Sequence, residues 1–129
     1  MRRVRLTLGS VAFSLALWWG ASHAQPPALS TQIDQGRQVY EYWCVTCHGT
    51  GLGLPGFGGL PGTQQLQIKY RGTDISPVLD ERTDLVPEFV KLIVRQGVSF
   101  MPQFRKTEIS DTDLEALAAY LTRNNAGAR

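Results

Sequence analysis

Three residues in one short stretch carry the chemistry this chain can do. Cys44-Val45-Thr46-Cys47-His48 reads C-x-x-C-H, the pattern at which haem is attached covalently to a polypeptide. The spacing has a mechanism. Two thiols three residues apart on a helical turn can each add to one vinyl group of the porphyrin. The imidazole that follows is then held beneath the iron as its proximal ligand. Competing uses of the same residues are weaker. A thioredoxin-like dithiol needs a βαβ context, and the sequence shows no alternating strand pattern. A structural zinc site takes about four Cys or His ligands, and beyond residue 24 the chain offers only Cys44, Cys47 and His48.

Counting narrows the second axial position. The sequence holds two histidines and two methionines. His23 and Met1 fall in a segment that reads as a removable leader. Arg2, Arg3 and Arg5 form its basic head, Leu6 to Trp19 is uncharged and mostly apolar, and Ser22-His23-Ala24 offers small residues where a signal peptidase reads them. The apolar run is shorter than the roughly 20 residues that span a bilayer. The expectation is a cleaved signal peptide over 1–24, export to a bacterial-type periplasm, and a single domain over 25–129 with no membrane span after cleavage. His48 and Met101 are then the only histidine and methionine left, and bis-histidine ligation within one chain is excluded. Met101 precedes Pro102, which disfavours helical geometry at the residue before it. The thioether is therefore expected on an extended loop, able to reach the iron from the far side. His/Met is the usual pair in cytochromes c. The expected haem-binding residues are Cys44, Cys47, His48 and Met101, with His48 and Met101 on the metal and no catalytic side chain.

Charge excludes one class of partner. The chain has 13 Lys and Arg against 11 Asp and Glu. Three of the basic residues sit in the leader, so ten remain and the basic excess disappears. No dense Lys/Arg run survives to bind nucleic acid. A remaining length of about 105 residues is small for a self-sufficient core, and such domains often lean on a cofactor.

The elements that must position these residues are helical. Ile33 to Cys47 has helical spacing, with Thr31 as a plausible N-cap. Gly49 to Gly62 is a glycine-rich loop interrupted by Pro55 and Pro61, and a short helix covers Gln64 to Tyr70. Arg71 to Thr83 reads as irregular. Pro87 to Gln96 is a further helix, with Pro87 in its first turn and Gly97 as its stop; its apolar residues lie on more than one side, which predicts deep burial. Asp111 to Asn124 is a third, capped by Ser110 and striped by Leu114, Leu117, Ala118 and Leu121. The fold class is all-α.

Some signals are weaker. Gly51-Leu52-Gly53-Leu54-Pro55-Gly56 fits G-x-G-x-x-G, but a dinucleotide fingerprint follows a strand and opens a helix; a turned loop is the better reading. Tyr70, Arg71 and Arg82 are candidates for the anionic haem propionates, since guanidinium forks suit carboxylates; a solvated loop accounts for them as well. Phe100 and Phe104 flank Met101 and suit packing in the haem pocket.

Gly36-x-x-x-Tyr40 ahead of Cys44–Gly49, then Met101-Pro102, then Leu117-x-x-Tyr120-Leu121, resembles the class I (cytochrome c-like) monohaem cytochromes over residues 32–124. The resemblance implies crossing N- and C-terminal helices, with Gly36 admitting the other backbone and Tyr40 and Tyr120 beside the contact. It implies one covalent haem c and a prolyl carbonyl supporting His48, for which Pro61 is preferred over Pro55. It also implies a periplasmic one-electron carrier with redox-protein partners. The stretch from Glu81-Arg82-Thr83-Asp84-Leu85 through Phe104-Arg105-Lys106-Thr107-Glu108 is similar to the small cytochrome subunit of p-cresol methylhydroxylase-type flavocytochromes. That likeness implies a flavin-dependent dehydrogenase as donor, and a respiratory cytochrome or oxidase as acceptor. The alternative is a haem enzyme or gas sensor in which the methionine is displaced.

Overall fold

The structure is a computed structural model that describes residues 28–128 apart from 54 and 57. The expected leader and its cleavage point lie outside the described residues. The elements run α1 (Leu29–Trp43), α2 (Val45–His48), α3 (Pro61–Lys69), α4 (Pro87–Gln96) and α5 (Asp111–Leu121), with single 3-10 turns at Leu79–Glu81 and Ala126–Ala128. Among the described residues there is no strand, only an isolated bridge between Val98 and Met101. No helix among them is long and apolar enough to cross a membrane. The chain is all-α.

The α1–α5 crossing organises the molecule. At Gly36 the backbone of α5 passes so close that an added Cβ would lie 2.0 Å from the Ala116 carbonyl oxygen and 2.7 Å from Tyr120 Cβ. One turn on, the Tyr40 ring packs against Tyr120 with centroids 5.7 Å apart. The stripe expected on α5 is buried throughout, and Leu117 at its centre is 0% exposed. Ser110 caps α5 as expected: its hydroxyl accepts from the Asp113 amide at 3.0 Å and donates to the Asp113 carboxylate at 2.8 Å. Regular helix ends at Leu121 rather than Asn124.

Three expectations need correction. Helix α1 begins at Leu29, and Thr31 is inside it; Ala28 stands at the N-cap with no side-chain hydrogen bond. Its backbone carbonyl accepts from the Gln32 amide at 3.0 Å, so the helix propagates back without a polar cap. The first helix also does not run through to Cys47. It closes at Trp43, and the chain resumes as α2 after Cys44, whose carbonyl accepts from both the Cys47 and His48 amides. Helix α4 has the predicted bounds but not the predicted burial. Val90 and Val94 are buried, whereas Phe89 and Leu92 are 42% and 48% exposed. One face of α4 packs on α5, Phe89 and Ile93 turn toward a cleft, and Leu92 is left outside.

Candidate functional site

The four residues singled out from the sequence come together. Two adjoining clefts, of about 130 and about 60 Å³, share Cys44, His48 and Met101 in their walls. The larger adds Cys47, Trp43, Gly62, Pro102 and Phe104. The smaller is closed by aliphatic side chains from α4, α5 and the Leu79–Leu85 segment. The thiols follow from the helix break: Cys44 is buried at the end of α1, and Cys47 is exposed one turn later on α2. Burial, reinforced by the neighbouring Cys47, pushes the Cys44 thiol up to about 12.

His48 ends α2. Burial holds its imidazole below the usual histidine value, so near neutral pH it is uncharged, the form with a free lone pair for a metal. Its Nδ1 is buried with no hydrogen-bond partner. A prolyl carbonyl was expected there, with Pro61 preferred, and neither Pro61 nor Pro55 provides it. Helix α3 starts at Pro61 instead of Gln64. Gly62 takes the place beside the ring: a Cβ there would lie 2.6 Å from His48 Cε1 and 2.7 Å from Nδ1. The backbone around His48 is firmly held. The Tyr40 hydroxyl donates to the His48 carbonyl at 3.1 Å, and the Thr63 hydroxyl donates to the Gly49 carbonyl at 2.9 Å. Burial and the nearby Asp80 charge push the Tyr40 phenol far up, so it stays a donor.

Met101 sits on a tight turn. Val98 and Met101 exchange both backbone hydrogen bonds, at 3.1 and 2.9 Å, and Ser99 takes a left-handed φ of 54° to close it. Gly97, φ 69°, sets the direction of the loop as it leaves α4. A Cβ at Gly97 would lie 2.6 Å from the Met101 carbonyl. Phe104 is anchored behind by its amide to the Val94 carbonyl at 2.9 Å, and its ring meets Trp43 edge-on with centroids 5.6 Å apart. Phe100 lies in the wall of the larger cleft yet is 64% exposed.

The propionate candidates separate. Arg82 is 4% exposed, paired with Asp84, and its guanidinium lies 4.7 Å from the centre of the Tyr70 ring. Arg71 is exposed and lines a different cleft with Gln64, Gln67, Ile75 and the same Tyr70. Gly51–Gly56 lies between α2 and α3 and is not preceded by a strand, which removes the dinucleotide reading. Sequence reasoning missed the parts played by Gly62, Thr63, Gly97 and Trp43. Only the first two had a signal: Pro61 as the first residue of a helix would have placed Gly62 and Thr63 in its opening turn.

The residues fit a covalently held haem. Two thiols, a neutral imidazole with one orphaned nitrogen and a thioether share an apolar cleft. Among the described residues no group of three or more His, Cys, Asp or Glu is placed to hold a bare metal ion. Comparison with known proteins agrees. Residues 31–121, from α1 through α5, match the family model described as cytochrome c oxidase, cbb3-type, subunit III. No curated protein and no solved structure gave a match. No match bears on the closer likeness to the p-cresol methylhydroxylase cytochrome. Since the match spans most of the chain and the helices it covers build this site, the chain belongs to that cytochrome c family, as a class I monohaem c-type cytochrome with covalently bound haem c.

Proposed function

We propose that the chain is an exported, periplasmic one-electron carrier whose iron is ligated by His48 and Met101. The observation that carries this reading is that both side chains line both halves of one apolar cleft, beside the two cysteines. When bound, haem supplies an iron that cycles between Fe(III) and Fe(II). Cys44 and Cys47 would tether it by thioether bonds, His48 would give the iron a neutral nitrogen, and Met101 would give it a thioether, a ligand that raises the reduction potential. The aliphatic wall from Leu79, Leu85, Val90, Val94, Leu117 and Leu121 keeps water away. With both axial positions filled by the chain, no substrate needs to reach the metal. A raised potential suits an acceptor downstream of a dehydrogenase. The likeness of the stretch Glu81 through Glu108 to a flavocytochrome subunit is what favours a flavin-dependent one as donor, with a respiratory cytochrome or oxidase as acceptor.

Met101→Ala tests the reading. The oxidised wild type should show the weak near-infrared band of a sulfur–iron bond, and the variant should lose it. The variant keeps its haem, because Cys44, Cys47 and His48 are intact. Its reduction potential should fall and it should bind carbon monoxide readily, where the wild type resists. Wild type that binds carbon monoxide as readily as the variant would mean an open iron, and would move the reading to a haem enzyme or gas sensor.

A further inference from the structure

A thioether is a soft, uncharged ligand on a side chain with three rotatable bonds. Whether it stays on a metal depends on the backbone that presents it. Met101 lies on the connection between α4 and α5, residues 97–110. Its own turn is closed by the backbone bonds with Val98. Those bonds fix the shape of the turn; its position on the molecule needs anchors further along the chain. Such anchors converge on one side chain.

Arg95 stands in the last turn of α4, just before the connection begins. Its Nη1 donates to the Phe104 carbonyl at 3.0 Å, in the middle of the connection. Its Nη2 donates to the Asp111 carboxylate at 3.0 Å, on the first residue of α5. The neighbouring Val94 carbonyl accepts from the Phe104 amide at 2.9 Å, so both polar groups of the Phe104 backbone are held by α4. One planar guanidinium thus joins the end of α4, the middle of the connection and the start of α5. The Arg95 side chain is 23% exposed, which shields its bonds in part from water. Asp111 is 62% exposed and also accepts from Lys106 at 2.6 Å. An exposed, shared ion pair contributes little, so the bond to the Phe104 carbonyl is the stronger half of the fork.

We propose that Arg95 is a positioning residue for the distal ligand: it straps the Met101 connection to α4 and α5 and so keeps the thioether at the iron. The inference rests on Met101 being that ligand. A side chain that stabilised only the fold would change the melting temperature and leave local opening alone. A strap sets how often the connection swings away while the rest of the chain stays folded.

The test uses the haem-loaded, oxidised protein with added imidazole as the probe, which can reach the iron only when Met101 has left it. Loss of the near-infrared sulfur–iron band follows the titration. Arg95→Gln should raise the apparent affinity for imidazole about tenfold, the ratio expected when one hydrogen bond to a charged group is lost. Arg95→Lys keeps the charge without the fork and should fall between wild type and Arg95→Gln. Asp111→Asn leaves the bond to the Phe104 carbonyl and should raise the affinity less than Arg95→Gln does. Gly36→Ala is the control, since it strains the α1–α5 crossing and should leave the affinity at the wild-type value. Equal affinities in wild type, Arg95→Gln and Arg95→Lys overturn the strap. A rise in Gly36→Ala as large as in Arg95→Gln also overturns it, because global stability would then control the opening. A wild type that lacks the near-infrared band defeats the Met101 ligation itself, and the strap with it, before any variant is compared.

Discussion

Replacing Gly36 with alanine opposes two effects of known sign. In a helix with nothing against it, Gly→Ala stabilises by about 1 kcal/mol, because alanine gives up less backbone entropy. Here the new Cβ would lie 2.0 Å from the Ala116 oxygen, 2.5 Å from the Ala116 carbonyl carbon and 2.7 Å from Tyr120 Cβ. Two of these are main-chain atoms and the third is fixed to the main chain, so no rotamer change relieves the contact. The helices must separate by more than an ångström, at the point where α5 buries Leu117 and Tyr120. Overpacking of this kind costs about 1–3 kcal/mol, and contact with backbone puts it near the upper figure. The net expectation is a loss of about 2 kcal/mol, after the helix-propensity gain is set against the clash. For a domain of this size that lowers the melting temperature by about 8–16 °C. Guanidinium or thermal unfolding of the haem-loaded variant, followed at 222 nm, measures it. A midpoint equal to or above that of the wild type would refute the crossing argument, since propensity would then be acting unopposed.

Gly97→Ala should act at the other ligand: its φ of 69° is glycine territory, and its Cβ would press on the Met101 carbonyl. A strain of about 1–3 kcal/mol should appear in the melt, with the near-infrared band weakened and the haem still covalent. Cys44→Ala/Cys47→Ala should leave a largely unfolded chain, because the cofactor that stabilises the native state can no longer be held; a helical, cooperatively melting product by circular dichroism would contradict this. Ser110→Ala should cost about 1 kcal/mol at pH 7 through loss of the cap. The Asp113 carboxyl is held below the usual carboxylate range by the Ser110 hydroxyl and then by Gln35. A depressed folded-state value contributes stability above the unfolded value of about 3.9 and loses it as pH falls through the folded value. The gap between wild type and Ser110→Ala in urea midpoints should therefore narrow as pH drops below about 4.

How much of this was legible in the sequence depended on whether the signal was local. The bounds of α4 followed from Pro87 and Gly97, and the cap of α5 from Ser110, because a proline, a φ above zero and a hydroxyl acceptor act within one turn. The crossing at Gly36 came from the resemblance to the class I cytochromes, which set Gly36 and Tyr40 of one helix against Tyr120 of the other. The proposed axial ligands came from counting, and the fold brings both to one cleft. What escaped were contacts between elements distant in sequence. Nothing around Thr63 announces that its hydroxyl meets the carbonyl of Gly49, and nothing around Phe89 says that its face of α4 borders a cleft instead of the core. The start of α3 was missed because Gly62 looked like loop composition. Its lack of a side chain is in fact what lets a helix lie against His48.

The three glycines have a common consequence. Gly36 brings α5 against the helix that carries Tyr40, Gly62 brings α3 against His48, and Gly97 brings the end of α4 against the Met101 loop. At each position an added Cβ would lie under 3 Å from a main-chain atom. Contacts of this type are set by backbone on backbone or backbone on ring, and they cannot be retuned by side-chain rotamers. Both proposed axial ligands are thus placed by the main chain of neighbouring elements. The Nδ1 of the proposed proximal one has no hydrogen-bond partner, and the proposed distal one rides on a turn closed by reciprocal backbone bonds. An electron carrier benefits from that arrangement. A site held in one geometry by its scaffold has little to rearrange when its charge changes by one, whereas an enzyme that opens its metal to a substrate needs a ligand loop free to swing. The Met101 turn, held between Gly97 and the Phe104 amide on Val94, fits the proposed carrier role.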